Sequence, residues 1–397
     1  MNAKWSKARP LRVFVVAGEH SGDALGAKLM SALNAQMPGR INYAGIGAEA
    51  MAREGLQSLY PMSDVAVMGP LSILPRLPRI VSRVYKTVDA ALTFKPDIVV
   101  IIDAPEFTHP IAKRIRKRMP GVPVIDYVSP SVWAWRPGRA RRMRGYIDHV
   151  MALLPFEPEV HQRLGGPPCT YTGHPMIERL AWIEALDPAP LAARLALKPN
   201  EPLLVVLPGS RVSEVGRMMQ PFGDCIGQLK AMEHAPRVVI PAMAHVRERI
   251  VTAAREWAIV PAIIDGEEDK FRAFKLATAA LAASGTVTLE LGLAQLPAVV
   301  GYKVDPLAAP LKFLVNVPSI VLANLVAGKN VFPEFIQKAC NGDTLAKALS
   351  PLLTDTAERR AQLAGLAGIP ARMRLPAGTP SEAAANIVLR YAQQSPN

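Results

Sequence analysis

Four stretches of the chain place reactive side chains directly after apolar runs. In "AGEHSGD", Gly18, Glu19, Ser21, Gly22 and Asp23 follow the run 11–17. The glycines permit a tight turn, and Ser21 or Asp23 suits the cap of a helix that follows. Asp103 closes "IVVIID", and Glu106 lies three positions on. A carboxylate at the end of a buried strand is partly desolvated, which makes it a stronger base. Asp103 is therefore the first candidate for general base, beside the plainer reading of a helix cap. In "LPGSRVSE", Gly209, Ser210 and Arg211 bring backbone N–H groups, a hydroxyl and a guanidinium to one turn, with Glu214 beyond. That set suits a diphosphate. In "AASGTVTLELG", Ser284, Gly285, Thr286 and Glu290 form a second such junction. Its carboxylate suits the two hydroxyls of a ribose, and its helix start suits phosphate. Two phosphate-competent junctions in one half point to a nucleotide there.

Several chemistries are disfavoured. Glutamate and histidine follow Gly18, so the G-x-G-x-x-G pattern of nicotinamide enzymes is not met. Asp-x-Asp clamps, histidine clusters and Gly-Lys-Ser/Thr loops are missing, so neither metal nor cofactor is expected. The acidic run Glu267, Glu268, Asp269 reads as a solvated loop. Cys169, Cys225 and Cys340 are odd in number and far apart, which gives no disulfide framework and suggests a reducing cytosol.

The elements that must position these residues are short β-branched runs alternating with helical patterns. Runs at 11–18, 96–103, 123–130 and 149–155 form one series, and those at 203–211, 237–243, 281–285 and 296–304 a second. Continuous apolar strands between helices mean parallel sheets covered on both faces, so the fold class is α/β. At 397 residues two domains are expected. We draw an N-terminal Rossmann-like domain over 1–184, a Pro/Ala-rich linker over 185–202 and a second Rossmann-like domain over 203–360. A helical tail over 361–397 is placed packing back on the first. Ligands of doubly wound sheets lie at strand carboxyl ends, which puts the chemistry in an interdomain cleft. The apolar start is too short for a signal peptide, and no stretch of about 20 apolar residues spans a membrane.

Charge is uneven. The chain carries +13, and residues 1–180 hold 24 Lys+Arg against 14 Asp+Glu, an excess of ten. That half should face something anionic: phospholipid, nucleic acid or a phosphorylated substrate. In "YVSPSVWAWRPGRARRMRG", Trp133 and Trp135 precede Arg136, Arg139, Arg141, Arg142 and Arg144. In "MGPLSILPRLPRIVSRVYK" (68–86), Arg76, Arg79, Arg83 and Lys86 recur at helical spacing among Leu77, Ile80, Val81 and Val84, an amphipathic basic helix suited to a headgroup layer. No recognition helix or RNA-binding signature accompanies the charge, so nucleic acid is not expected as a partner.

These stretches, with "VAVMG", "ALLPFEPEV", "YTGHPMIE" and "LANLVAGKNVFPEFIQ", run in order from about residue 12 to 340 and resemble the lipid-A-disaccharide synthase family. The resemblance implies a two-domain GT-B glycosyltransferase, inverting and metal-independent. Its reaction joins UDP-2,3-diacylglucosamine to 2,3-diacylglucosamine 1-phosphate (lipid X), giving the β-1,6 disaccharide phosphate and UDP. It puts the family's acidic residue on Asp103, its arginine on Arg211, and its nucleotide side on Ser284–Glu290 and Asn324. Glu19 joins the catalytic set. Ser21, Gly22, Asp23, Ser129, Trp133 and Trp135 fall to the substrate, and Arg76, Arg79, Arg83 and Lys86 to an anionic membrane. Such a protein is cytoplasmic, peripheral on the inner membrane, and a monomer or homodimer. Here Glu106 and Thr108 stand where the family more usually has Asp and Asn, and Glu49 replaces a basic residue. Another UDP-sugar glycosyltransferase or a UDP-sugar epimerase is the alternative with the same architecture.

Overall fold

The computed structural model of the chain describes residues 5, 9–65, 77–233, 235–304 and 317–394. They form two compact units, residues 1–178 with 375–397, and residues 179–374. The first unit holds one parallel sheet of β1 (Leu11–Ala17), β2 (Ile41–Ile46), β3 (Ile98–Ile102), β4 (Val124–Tyr127), β5 (His149–Ala152) and β6 (Cys169–Tyr171). Their order is β2-β1-β3-β4-β5-β6. The second unit holds β7 (Leu203–Leu207), β8 (Arg237–Pro241), β9 (Ala262–Ile264), β10 (Ala279–Ala283), β11 (Ala298–Tyr302) and β12 (Glu334–Ile336). Their order is β12-β11-β10-β7-β8-β9.

The central strands are apolar throughout because helices cover both faces; all residues of β3 and β7 are buried. Each valine or isoleucine so buried stabilises by about 1.5–3 kcal/mol. In β2, Gly45 has φ +137, and a Cβ there would stand 1.8 Å from the Val15 carbonyl oxygen of β1. Only glycine lets the two strands close at that point.

Strand order decides where loops become available. The first sheet turns back at β1/β3, where Val13 pairs with Ile98 and Ala17 with Ile102. The second turns back at β7/β10, where Leu204 pairs with Ala279 and Leu207 with Ala282. The chain leaves these two pairs in opposite directions along the sheet, and the crevice so formed is the ordinary ligand site of such sheets.

Three organisational features differ from the sequence reading. The segment 185–202 carries helix Ala189–Arg194 within the second unit rather than a bare linker. Arg194 pairs with Asp269, and Lys275 Nζ donates to the carbonyls of Glu184 and Leu186 at 2.8 and 2.6 Å. The acidic run 267–269 is the first turn of helix Glu267–Leu276, not a solvated loop; Arg179, Arg194 and Arg272 hold its carboxylates. Acidic side chains in a first turn are favoured by the helix dipole. Finally, the tail that packs back on the first unit starts at residue 375 rather than 361, and its helix Pro380–Gln394 lies on helix His20–Gln36. Glu178 accepts from Lys28 Nζ at 2.6 Å and from the Ser381 amide at 3.0 Å, pinning that return.

Candidate active site

In the first unit the loops after β1 and β3 meet. Ser21 Oγ donates to Asp103 Oδ2 at 3.2 Å, and the Ala104 amide donates to Asp103 Oδ1 at 2.7 Å. Asp103 and Ala104 both lie in the left-handed region, φ +54 and +44. Two consecutive non-glycine residues there store roughly 1–2 kcal/mol each, strain of the kind that gathers at functional sites. The kink lifts a half-buried carboxylate off the strand end and starts helix Pro105–Arg118 behind it. Glu19 occupies the capping position of helix His20–Gln36, beside Ser21.

Glu106, on the first turn, is exposed and paired with Arg139, and 3.9 Å from Arg136. Burial opposes its charge, but Arg139 and then Arg136 outweigh it and hold the carboxyl below the usual range. That weakens Glu106 as a base.

In the second unit the loops after β7 and β10 are neighbours in turn. Gly209, at φ +114, lets the chain enter helix Val212–Ala231 with Glu214 close under it. Glu214 Oε2 accepts from the amides of Ser210 and Arg211 at 3.2 and 3.3 Å, and its Oε1 from Arg211 Nη1 at 3.0 Å. Arg211 remains 60% exposed, so a diphosphate can take the guanidinium from its partner. The Ser210 carbonyl receives His245 Nε2 at 2.7 Å. After β10, Gly285 and Thr286 are exposed, while Ser284 Oγ donates to the Ile320 carbonyl at 2.8 Å. Glu290 meets Lys270 Nζ at 3.0 and 2.9 Å, a partner the spacing of the motif does not announce.

A family model described as Lipid-A-disaccharide synthetase matches residues 13–388. The chain belongs to this family. The lipid-A-disaccharide synthase of Rhodopseudomonas palustris (strain HaA2) is 48% identical over 384 residues, 96% of this chain and 97% of its own length. That of Nitrobacter winogradskyi is 46% identical over 392 residues, 98% of each. Among solved structures, a Neisseria meningitidis UDP-GlcNAc 2-epimerase bound to UDP-GlcNAc superposes with TM-score 0.64 at 14% identity, covering 97% of this chain and 100% of its own. Acinetobacter baumannii MurG gives 0.57 at 13%, covering 96% and 100%. At such identity these two speak for the fold alone, which is GT-B.

Several residues expected at the substrate prove to hold the family's backbone together. Asp23 is buried and caps helix Glu49–Arg53, accepting from the amides of Ala48, Ala50 and Met51 at 2.6, 2.9 and 3.2 Å. Gly22 is buried against Ile102, where a Cβ would come within 3.3 Å of its carbonyl oxygen. Ser129 is buried and shares a 2.9 Å hydrogen bond with His161 Nε2. Asn324, 2% exposed, spends both ends of its amide on Ser319, Val331 and Phe332. The side chains of Asp23, Ser129 and Asn324 are thus engaged within the first and second units themselves.

Trp133 and Trp135 are half-buried. The Trp133 indole N–H donates to Glu157 Oε1 at 3.3 Å and its ring stands edge-on to Phe156. Arg136 lies over the Trp135 ring at 4.6 Å. Of the proposed membrane residues, Arg76 lies outside the described residues. Arg79 and Arg83 both pair with Asp64 at 2.6 Å, and Arg83 is stacked on Tyr60. Arg83 therefore pins helix Leu77–Phe94 to its own unit. Leu77, Val81 and Tyr85 stay exposed along that helix, while Val84 and Val88 are buried.

Sequence reasoning missed a buried polar network beneath the Trp–Arg segment: Asp126, His109, Tyr146, Glu157 and His161. His109 Nδ1 bonds Tyr146 Oη at 3.0 Å, and its Nε2 lies 3.2 Å from Asp126 Oδ2, off the line of a hydrogen bond. Burial pushes the Glu157 carboxyl up to about 7, against hydrogen bonds from Leu154 and Trp133. The signal was present, since "VIDY" and "ALLPFEPE" carry carboxylates inside apolar runs. Among the described residues no group of three or more His, Cys, Asp or Glu could hold a metal ion, and no helix is long and apolar enough to cross a membrane.

Proposed function

We propose that the chain is a lipid-A-disaccharide synthase, transferring 2,3-diacylglucosamine from UDP-2,3-diacylglucosamine to the 6-hydroxyl of lipid X. The observation that carries this reading is Asp103, strained off the end of β3 at a sheet switch point in a chain that the family spans from residue 13 to 388. The acceptor hydroxyl gives its proton to the Asp103 carboxylate as its oxygen attacks the donor's anomeric carbon. The bond from that carbon to the diphosphate breaks, and attack from the opposite face inverts the α donor to the β-1,6 product. The Ala104 amide and Ser21 hydroxyl hold the carboxylate still, so no reorganisation precedes proton transfer. On the second unit, Arg211 and the N-terminus of helix Val212–Ala231 meet the charge that collects on the leaving diphosphate. Glu290 turns from Lys270 to the ribose hydroxyls. These groups supply the electrostatic stabilisation without a metal ion.

The protein works on acyl chains held in a bilayer, and we place it peripherally on the cytoplasmic face of the inner membrane. Leu77, Val81 and Tyr85, one helical turn apart and exposed, support this, with Lys86 beside them. Changing the three to serine should abolish flotation with anionic liposomes; unchanged flotation sinks this placement.

The test is a radiolabelled assay with purified protein, UDP-2,3-diacylglucosamine and lipid X in neutral detergent micelles containing EDTA. Formation of disaccharide phosphate is expected. Consumption of unacylated UDP-N-acetylglucosamine alone would overturn the reading in favour of another UDP-sugar enzyme of this architecture.

A further inference from the structure

Beside Asp103 the first unit carries a second feature that the transfer chemistry does not use. A cavity of about 150 Å³ opens between one face of helix Pro105–Arg118 and the segment 136–146. Lys113, Arg136, Arg139 and Arg142 line it, against the single carboxylate of Glu106. Glu106 engages Arg139 and approaches Arg136. Lys113 Nζ stands over the Tyr146 ring at 4.9 Å, and Arg142 Nε donates to the Gly138 carbonyl at 3.2 Å. Among the described residues neither of these two cations has a carboxylate partner. His109, at the base, is turned inward to Asp126 and Tyr146.

Cations gathered around one concavity repel each other unless an anion joins them. The arrangement suits a phosphate monoester, which brings about −1.5 to −2 charges and three acceptor oxygens to guanidinium forks. Size narrows the ligand: sites for whole drug-sized molecules run to about 300–1,000 Å³, so this cavity takes a headgroup rather than a sugar nucleotide. Position narrows it further. The cavity begins at Pro105, two residues past Asp103, and runs along helix Pro105–Arg118 to Lys113, eight residues or about 12 Å of rise farther. Long Lys and Arg side chains reaching back along that face bring their charge toward the Asp103 end, where a substituent on the far side of one hexose ring would lie.

We propose that this cavity seats the acceptor's 1-phosphate and so orients the 6-hydroxyl toward Asp103. The inference rests on the transferase reading above. Lys113 and Arg142 supply the free positive charge, and Arg139 joins when phosphate displaces Glu106.

The experiment crosses two acceptors with three enzymes in neutral detergent micelles. The acceptors are lipid X and its analogue with hydroxyl in place of the phosphate; the enzymes are wild type, Lys113→Ala and the double variant Lys113→Ala/Arg142→Ala. Wild type should lose roughly 10- to 100-fold in kcat/KM when the phosphate is removed, the worth of one or two charge-assisted contacts. The double variant should lose a similar factor on lipid X, nothing further on the analogue, and keep its KM for the donor. Both side chains are exposed, so melting temperature should stay constant. Equal losses on both acceptors, or none on either, would overturn the assignment. So would a variant unchanged in micelles but defective in flotation with anionic vesicles, because the cations would then serve lipid headgroups. A wild type that transfers to neither acceptor sinks the transferase reading instead, and this inference with it.

Discussion

Replacing Asp103 by asparagine separates its chemistry from its place in the fold. The residue sits at φ +54, a conformation that costs most L-residues roughly 1–2 kcal/mol but that asparagine visits readily. The asparagine amide oxygen can still accept from the Ala104 amide, 2.7 Å away in the native chain. Ser21 Oγ, at 3.2 Å, need only turn from donor to acceptor. Folding stability should therefore move by no more than about 0.5 kcal/mol. What disappears is the lone pair that takes the acceptor's proton, worth about 10²- to 10⁴-fold, or roughly 3–5.5 kcal/mol of barrier.

Alanine is the comparison. It loses the same proton acceptor and also sits uneasily at a left-handed φ without the bond to Ala104, so it should unfold with about 1–2 kcal/mol less stability. The assay is kcat for radiolabelled disaccharide phosphate at saturating substrates, beside urea unfolding of each variant. If Asp103→Asn keeps kcat within about threefold of wild type, the base lies elsewhere, with Glu19 and His20 next in line. If the asparagine variant loses stability along with turnover, the separation itself fails.

Arg211→Gln should lower kcat by about 10²- to 10³-fold with little change in melting temperature, because Glu214 still caps the amides of Ser210 and Arg211; steady-state kinetics and a thermal melt check both halves. Glu290→Gln should raise the Kd for UDP by roughly tenfold in calorimetry while the acceptor KM holds. Gly45→Ala should cost about 3 kcal/mol or more, read by urea unfolding, since its Cβ would meet the Val15 carbonyl oxygen at 1.8 Å. Burial, with Arg390 nearby, lowers His149 to about 4, so it folds neutral. Its contribution of about 3 kcal/mol is present above pH 6.5 and lost as pH falls toward 4; in His149→Gln that share of the acid dependence should vanish, and parallel unfolding curves for the two proteins would refute it.

Much of the architecture was legible because covered parallel strands are unmistakable in sequence: runs such as 98–102 and 203–207 have no polar face to hide. β2, β6, β9 and β12 were not drawn. Each is an edge strand of its sheet, part-exposed and short or broken in its apolar pattern. Loops after strands are legible for the same reason the strands are, which is why Asp103, Ser21, Arg211 and Glu290 could be placed at strand ends from the sequence. What failed was the division of labour inside a motif. Asp23 and Asn324 look like ligand residues in one dimension, yet their partners at 48–51 and 331–332 are amides that only the fold brings near. Arg83 looks like a lipid-facing charge until Asp64 and Tyr60 arrive beneath it. A polar side chain is assigned by what lies opposite, and sequence spacing does not report that.

The segment 127–145 shows how two kinds of pressure share one stretch of chain. Val128 takes φ +85, rare for a β-branched residue, and this turn delivers Trp133 inward to Glu157 and leaves Trp135 under Arg136. The short helix Gly138–Met143 then sorts the arginines by period. Arg139 and Arg142, three apart, both face the cavity; Arg141 and Arg144, also three apart, are exposed outside it. Dense charge is thus two sets rather than one. The outer set acts across water, where 0.15 M salt screens beyond about 8 Å, so its pull on a headgroup layer should fade as salt rises. The inner set acts at contact distance inside a concavity and is screened far less. On the two proposals above, one arginine cluster would serve an anionic surface weakly through its outer set and a phosphate firmly through its inner one, and added salt should separate the two effects.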